Sequence, residues 1–260
     1  MGILNITNDS FYDGGRYMNE EQIILRCKDM LDEGASIIDI GAQSSRPGAQ
    51  QLSSEYELKK LLPVIKLLKN TFQNITISVD TFWSNTAIKC VQAGADIIND
   101  ISAGEIDEKM FSAIAELNTP YIMMHMQGIP SNMQINPNYK NVTQEIIKFF
   151  RKKINKLKQL GFSQKIIIDP GFGFGKTVEH NYQILNNLKK FKCIKSPILV
   201  GISRKSMIYE LLKTTPQKSL NGTSITNTIA LQNGANILRV HDVKAAKECI
   251  KITRFAENNY

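Results

Sequence analysis

Stretches with strand character and stretches with helix character alternate eight times along this 260-residue chain. Short β-branched and aliphatic runs predict strands at 1–6, 36–40, 76–79, 96–98, 121–124, 166–169, 198–200 and 236–240. Apolar residues at helical spacing predict helices at 20–33, 54–70, 85–93, 107–117, 142–160, 178–188, within 206–232, and at 243–256. This alternation favours a parallel sheet, and eight strand–helix units close into a (β/α)8 TIM barrel. The alternative is an open, doubly wound sheet, which the absence of GxGxxG from the first loop disfavours.

Two local patterns predict how helices begin and end. The segments EGASIIDIG, AGADIINDI and NGANILRVH each place Gly-Ala just before a strand, which predicts a turn from helix back into the barrel. Ser54 is followed three residues later by Glu57, which predicts an N-cap and a capping box for the second helix. Since 42% of the residues are hydrophobic, residues 1–260 are expected to form one barrel domain around one core.

Charge and cysteine usage narrow the class of partner and the compartment. The net charge of +8 favours anionic partners such as phosphorylated metabolites, and the basic run 148–158 has the periodicity of a solvated helix face rather than a nucleic-acid surface. No apolar run is long enough for a membrane span, and no signal-peptide pattern is present. The scattered cysteines indicate free thiols in a reducing compartment rather than a zinc site: Cys27, Cys90, Cys193 and Cys249. We therefore expect a cytoplasmic protein with no nucleic-acid or membrane partner.

Polar side chains recur where the predicted strands end. In a barrel these ends share one face, which carries the chemistry. The set comprises Asn5, Asp39, Asp80, Asn99, His125, Asp169, the Ser203-Arg204-Lys205 loop, Arg239 and His241. So many carboxylates, amides and cations at strand ends predict an active site on this face.

The set divides by chemistry into two groups. Asp80, Asn99, Asp169 and Lys205 offer donors and acceptors that suit a flat heterocycle with several polar edges. The second group mixes cations with oxygen ligands, which suits a phosphorylated group and Mg²⁺: Asn5, Arg46, Arg239 and His241, with Asp9 and Asp13. The first and second loops, 7–17 and 41–53, are longer than usual connections and are candidate lids.

The segment IIIDPGFGFGK, residues 166–176, places Asp169 at the end of a buried strand below a glycine-rich loop. Its Gly-Lys-Thr ending is not a P-loop, because Pro170 stands where that motif needs glycine. The methionines that surround His125 are expected to be core or pocket wall rather than metal ligands.

These segments resemble a known family. MGILNITNDSFYDGG, IIDIGAQSSRPGA, ISVDTF, GADIINDIS, MMHMQG, IIIDPGFGFGKT, GISRKS and LRVHDV are similar, in this order, to the signature segments of dihydropteroate synthases. The resemblance implies a (β/α)8 barrel that uses Mg²⁺, is usually a homodimer, and joins a dihydropterin methyl diphosphate to 4-aminobenzoate with release of pyrophosphate.

The resemblance also implies roles for individual residues. The pterin would be held by Asp80, Asn99, Asp169 and Lys205, between apolar walls Met123 and Phe174, and Asp80, Asp169 and Lys205 would be catalytic. Asn5 would bind Mg²⁺ and, with Arg46, Arg239 and His241, the diphosphate. The 4-aminobenzoate site would consist of Ser45, Arg46, Pro47, Phe174, Lys205 and Ser206, and Asp13 would close over the complex.

The chain departs from the family pattern at three positions. Asn8 stands where proline is common, and the second loop has Gln43 and Ser45 in place of an acid and a threonine. These changes concern the loops near the 4-aminobenzoate site, which sulfonamides occupy in this family. Two alternatives are a corrinoid methyltransferase that uses methyltetrahydrofolate, and a non-catalytic pterin-binding barrel. The cations Arg46, Lys205, Arg239 and His241 argue against the first alternative, and the complete set of polar strand ends argues against the second.

Overall fold

A computed structural model describes residues 1–6, 20–43 and 51–259 of the chain. Its strands are β1 (Gly2–Asn5), β2 (Ile38–Gly41), β3 (Ile77–Asp80), β4 (Ile97–Asp100), β5 (Tyr121–Met124), β6 (Ile166–Asp169), β7 (Leu199–Val200) and β8 (Ile237–Leu238). Its α-helices are α1 (Glu20–Asp32), α2 (Ser54–Thr71), α3 (Ser84–Gln92), α4 (Met110–Leu117), α5 (Val142–Gln159), α6 (Val178–Asn186), α7 (Ser206–Tyr209), α8 (Leu220–Gln232) and α9 (Val243–Asn258). Short 3₁₀ helices lie at Leu188–Ile194 and Pro216–Lys218.

The strands form a closed parallel barrel. β1 to β6 pair in chain order, and β7 pairs with β8. Two parallel bridges connect these groups, one between Ile168 and Ile198 and the other between Gly2 and Val240. The second bridge closes the ring, since the Ile3 amide donates to the Val240 carbonyl over 3.0 Å. The predicted (β/α)8 barrel is confirmed, and so is the alternation of its elements.

Side chains along the strands alternate between two cores. The outward residues pack against the helices, as Ile38, Ile40 and Val79 do. The inward residues fill the barrel interior in a layer made of Ile97, Ile122, Ile167 and Leu199. Each such side chain stabilises the fold by about 1.5–3 kcal/mol through burial. This alternation also decides which strand-end residues reach the interior.

Three helices end in the same hydrogen-bonded turn, and the Gly-Ala prediction is confirmed. Gly34, Gly94 and Gly234 have φ of +97°, +109° and +99°, a region that favours glycine. The amide of the following alanine donates to the carbonyl five residues earlier over 2.9 Å in all three turns. This Schellman geometry returns the chain to the barrel at a defined point.

The predicted cap of α2 was wrong by one residue. Ser53 is the N-cap, and its side chain accepts from the Tyr56 amide over 3.3 Å. Ser54 instead contacts the Thr86 hydroxyl. Glu57 does not fold back onto the helix start, because it lies on the buried face of α2.

The basic helix α5 has the amphipathic character that was predicted. Ile146, Phe150 and Leu157 are buried against the barrel, whereas Lys148 and Lys152 are exposed. None of the helices in the described ranges combines the length and the apolarity that a bilayer crossing requires.

Candidate active site

Polar residues converge inside the barrel at the carboxyl ends of its strands. Asp39, Asp80, Asn99 and Asp169 each follow a residue whose side chain packs outward, so their own side chains point inward. Arg239 reaches the same space from the end of β8. The prediction that these strand ends lie on one face of the barrel is therefore confirmed.

Arg239 connects opposite walls of the site. Its Nε donates to Asp39 Oδ2 over 2.6 Å, and its Nη2 donates to Asp80 Oδ2 over 2.8 Å. Asn99 Nδ2 donates to the same Asp39 oxygen over 3.2 Å. The sequence predicted one set of residues for a heterocycle and another for a phosphorylated group. The two sets are not separate in the structure, because Arg239 of the second set binds Asp80 of the first.

Burial governs the charge state of these groups. It raises the pKa of Asp80 to about 7, although the Arg239 guanidinium opposes the shift. The pKa of Arg239 stays above its ordinary value despite burial, because Asp39 and Asp80 stabilise the cation. The charge of Asp80 therefore depends on the balance between burial and the Arg239 guanidinium.

Asp169 is held by the glycine-rich loop that follows β6. The Gly171 amide donates to Asp169 Oδ1 over 2.8 Å. Gly171 has a φ of +72°, and a Cβ there would lie 1.9 Å from the carbonyl oxygen of His125. Only glycine permits this approach. Burial raises the pKa of Asp169, and Lys205 opposes the rise.

Lys205 and Phe174, which the family resemblance assigns to the substrate sites, contact each other, and Ser206 follows Lys205 in the chain. Lys205 Nζ donates to the Phe172 carbonyl and lies 4.4 Å from the centroid of the Phe174 ring, a cation–π contact. Ser206, the next residue, begins α7. Burial lowers the pKa of Lys205 to about 8, and the nearby Asp169 limits the decrease.

The prediction that Met123 is a pocket wall is wrong. Met123 belongs to the core between barrel and helices, and it is fully buried there. Its neighbour Met124 points the other way and packs in a cluster with Phe174, Phe82 and Met126. Because side chains alternate along β5, a shift of one residue exchanges the two faces.

His125 does not face the site as a free imidazole. Its Nδ1 lies 3.1 Å from Nζ of the buried Lys176, which also donates to the His125 carbonyl over 3.2 Å and to the Phe174 carbonyl over 2.9 Å. Burial lowers the pKa of both side chains well below their ordinary values. Lys176 thus fastens the glycine-rich loop to the end of β5, and it is not placed as a P-loop lysine.

The loops after β7 and β8 are joined side by side. Ser203 Oγ lies 3.1 Å from His241 Nδ1, and Arg204 makes a two-point ion pair with Asp242, with both N–O distances 2.8 Å. Burial and the field of Arg239 lower the pKa of His241 to about 4, so its imidazole is neutral at pH 7. Arg239 and His241 therefore differ in charge, although both were predicted to serve the diphosphate.

Asn5 lies at the end of β1, close to Asp80. A Cβ at Gly41 would lie 3.6 Å from Asn5 Oδ1 and 3.7 Å from Asp80 Oδ2, so the glycine leaves this space open. Asp13, Ser45, Arg46 and Pro47, together with Asn8 and Asp9, lie outside the described residues. In the ranges that are described, no three His, Cys, Asp or Glu side chains form a metal-binding group.

The roles of two buried acids were not predicted from the sequence. Asp39 was counted among the polar strand ends but was given no role, and it anchors Arg239. Glu57 is fully buried, and its Oε2 accepts from Thr81 Oγ1, next to Asp80 in the chain, over 2.6 Å. Burial raises the pKa of Glu57 to about 7. Helical spacing could have revealed the burial of Glu57 from the sequence, because Glu57 lies on the same apolar stripe of α2 as Leu61 and Leu68.

Three kinds of comparison with known proteins point to the same family. Residues 1–241 match the profile of a family described as pterin binding enzyme. The dihydropteroate synthase of Haemophilus influenzae is 42% identical over 259 residues, which cover 99% of this chain and 94% of that protein. A crystal structure of the Yersinia pestis dihydropteroate synthase with a sulfonamide drug superposes with a TM-score of 0.93 at 40% identity, covering 99% of this chain and 93% of that one. The Xanthomonas albilineans dihydropteroate synthase with 4-aminobenzoic acid superposes with a TM-score of 0.91 at 36% identity, covering 98% and 92%.

Proposed function

This chain belongs to the dihydropteroate synthase family of pterin-binding enzymes, and we propose that the residues converging on Arg239 and Lys205 are its active site. The reaction condenses (7,8-dihydropterin-6-yl)methyl diphosphate with 4-aminobenzoate and yields 7,8-dihydropteroate and pyrophosphate in folate biosynthesis. The enzyme is a transferase of alkyl groups other than methyl. The observation that carries the site is the convergence of buried donors and acceptors from the ends of five strands at one end of the barrel.

The pterin ring is proposed to lie among Asp80, Asn99, Asp169 and Lys205. This proposal is supported by the mixture of carboxylate, amide and ammonium groups, which pairs the N–H and C=O edges of a flat heterocycle. The apolar walls are assigned to Phe174 and to Met124, which replaces Met123. A polar edge of the ring that is buried without a hydrogen-bond partner would cost about 1–3 kcal/mol of binding free energy. These four residues therefore select a ligand by the positions of its polar groups as well as by its shape.

Asp80 and Asp169 are proposed to act electrostatically. As pyrophosphate departs, positive charge develops at the methylene carbon of the pterin, and fixed carboxylates nearby stabilise that charge. The neutral amine of 4-aminobenzoate then attacks, so a strong protein base is not required. Lys205 supports this arrangement, because its cation opposes the protonation of Asp169.

The diphosphate is proposed to be bound by Arg239, His241, Asn5 and Arg46, with Mg²⁺ at Asn5. The amide oxygen of Asn5 and the open space beside Gly41 fit a hydrated Mg²⁺, which binds few protein oxygens and retains water or phosphate oxygens as its other ligands. When bound, the ion would neutralise charge on the departing pyrophosphate. Arg239 binds and orients the phosphate oxygens while Asp39 and Asp80 fix its guanidinium.

The second substrate, 4-aminobenzoate, is proposed to lie beside Phe174, Lys205 and Ser206. The cation of Lys205 and the hydroxyl of Ser206 suit a carboxylate, and the Phe174 ring suits the benzene ring. Ser45, Arg46 and Pro47 complete this site in the proposal, and Asp13 closes over it.

Free thiols at Cys27, Cys90, Cys193 and Cys249 suit a reducing compartment, so the reaction is proposed to occur in the cytoplasm, with residues 1–260 as one domain.

The test is turnover of the two substrates with Mg²⁺, with pyrophosphate and dihydropteroate both quantified. Asp169→Asn keeps the shape of the side chain and removes its charge, so kcat should fall at least about 100-fold, as for loss of an electrostatic stabiliser. Asp29→Asn, the same change on the exposed face of α1, should leave kcat unchanged. Near-wild-type turnover by Asp169→Asn would refute the role, and pyrophosphate release without dihydropteroate would refute the aminobenzoate site.

A homodimer is proposed to form through α8 and α9. Ile225, Ile252 and Phe255 are 53%, 68% and 73% exposed, and Cys249 Sγ contacts the Ser224 carbonyl, which places the two helices side by side. An apolar face of this kind on neighbouring helices is typical of association between copies. Light scattering should give twice the 29.3 kDa chain mass, and Ile252→Asp should give the chain mass. A monomeric wild-type protein at micromolar concentration would contradict the proposal.

A further inference from the structure

The hydroxyl of Ser203 lies between two groups of His241. The His241 backbone N–H donates to Ser203 Oγ over 3.3 Å, and the Nδ1 of its imidazole lies 3.1 Å from the same oxygen. An amide N–H can only donate, so Ser203 Oγ accepts that bond. Ser203 is 5% exposed, which leaves water little access to the hydroxyl.

The position of the remaining proton follows from this arrangement. The hydroxyl of Ser203 carries one proton, and His241 Nδ1 is the acceptor that the described residues offer it. If Nδ1 were protonated instead, it would donate to the second lone pair of the hydroxyl oxygen, and the hydroxyl proton would be buried without an acceptor among the described residues. Nδ1 is therefore the unprotonated nitrogen, and a neutral imidazole then carries its proton on Nε2.

The contact is held in place by the ion pair next to it. Arg204 follows Ser203, Asp242 follows His241, and the two side chains make their two-point contact at 2.8 Å. Arg204 also donates to the Pro216 and Gln217 carbonyls. Two consecutive cross-links thus join the loops after β7 and β8, so the hydroxyl and the imidazole have little freedom to separate.

We propose that Ser203 is a positioning residue whose hydroxyl selects the Nε2–H tautomer of His241, so that the imidazole presents a hydrogen-bond donor to the diphosphate. The inference rests on the proposed function in assigning the diphosphate to His241. In the opposite tautomer Nε2 would present a lone pair to an anionic oxygen, which is repulsive. The neutral state that this selection requires agrees with the lowered pKa of His241, which burial and Arg239 cause.

The tautomer is measurable in the wild-type protein by ¹⁵N NMR of the imidazole nitrogens. The chain has three histidines, so the spectrum is simple, and His241→Asn assigns the signals of His241. His180 is an internal reference, because its Nδ1 accepts from the Thr177 backbone N–H over 3.3 Å. At pH 7.5 we expect His241 to show a pyrrole-like Nε2 and a pyridine-like Nδ1. A protonated Nδ1 would overturn the proposal.

Inorganic pyrophosphate with Mg²⁺ tests whether the Nε2–H of His241 donates a hydrogen bond to a diphosphate. It should shift the Nε2–H resonance of His241 and leave that of His180 unchanged. If the tautomer is as proposed but pyrophosphate does not shift His241 while the enzyme still turns over, the link to the diphosphate is overturned and the proposed function stands. If dihydropteroate is never formed, the proposed function fails, and the wild-type spectrum still decides the tautomer.

Kinetics of two variants separate positioning from a structural role. Ser203→Ala should raise KM for the pterin diphosphate about tenfold, the factor that corresponds to a weakened hydrogen bond to a charged group, and should leave KM for 4-aminobenzoate unchanged. Ser203→Thr retains the hydroxyl and should restore both the KM and the His241 spectrum. A lower melting temperature with unchanged KM in Ser203→Ala would show that the hydroxyl serves only the fold, and would overturn the proposal.

Discussion

Replacement of Glu57 by glutamine should reduce the stability that the protein loses as the pH rises from 5 to 8. Glu57 is fully buried on the inner face of α2, and its Oε2 accepts from Thr81 Oγ1 over 2.6 Å. Its other oxygen, Oε1, has no hydrogen-bond partner among residues 1–6, 20–43 and 51–259. A neutral acid suits this environment and a carboxylate does not, because burial penalises the charged form.

The sign and size of the effect follow from the pKa. Burial raises the pKa of Glu57 from 4.5 to about 7. A raised folded-state pKa contributes stability that is complete below the unfolded value and is lost as pH rises through the folded value. The interval of 2.5 pKa units between 4.5 and about 7 corresponds to about 3 kcal/mol. Glutamine does not ionise, so Glu57→Gln removes this loss.

Urea unfolding at pH 5 and pH 8 measures the effect. The difference in unfolding free energy, variant minus wild type, should become more positive by up to about 3 kcal/mol between these pH values. Subtracting the wild type removes the contributions of other titrating groups, and Glu108→Gln on the exposed surface controls for the loss of an acid. A difference that is the same at both pH values would refute the conclusion that Glu57 is buried as a neutral acid.

The remaining predictions concern the pterin pocket. Met124→Ala should raise KM for the pterin diphosphate several-fold, whereas Met123→Ala should lower the unfolding free energy by about 2–5 kcal/mol and leave that KM unchanged. The opposite pattern in steady-state kinetics and urea unfolding would reverse our assignment of the β5 faces. Gly171→Ala should lower both kcat and the melting temperature, because its Cβ would lie 1.9 Å from the His125 carbonyl at a φ of +72°. Wild-type values of both would show that the loop does not need this contact.

The fold was predictable because its signals are local. Each strand is a short aliphatic run, and each helix has its own apolar stripe, so eight units can be recognised without knowing how they pack. The Gly-Ala turns are also local, since a positive φ and a bond to the carbonyl five residues earlier depend only on neighbouring residues. Closure into a barrel then follows from the number of parallel units.

The site was predictable as a set of residues, and less so as contacts. Polar residues at strand ends predicted the location, and Asp80, Asn99, Asp169, Lys205 and Arg239 do converge there. Met123 was wrong because the sequence MMHM does not reveal which methionine faces inward, and register decides this. Glu57 was assigned to a capping box because the Ser-x-x-Glu pattern does not show whether the glutamate folds back onto the helix start or lies on the buried face of α2.

The sequence by itself determined the alternating elements, their turns, and the residue types available at the carboxyl face. Only the tertiary structure decided which of those residues pair. Arg239 lies 200 positions from Asp39 and 159 from Asp80, yet one guanidinium binds both. Ser203 and His241 meet only because β7 and β8 are neighbours. The physical reason is that secondary structure arises from short-range sterics and periodicity, whereas charge states and tautomers depend on burial and on partners that chain closure brings together.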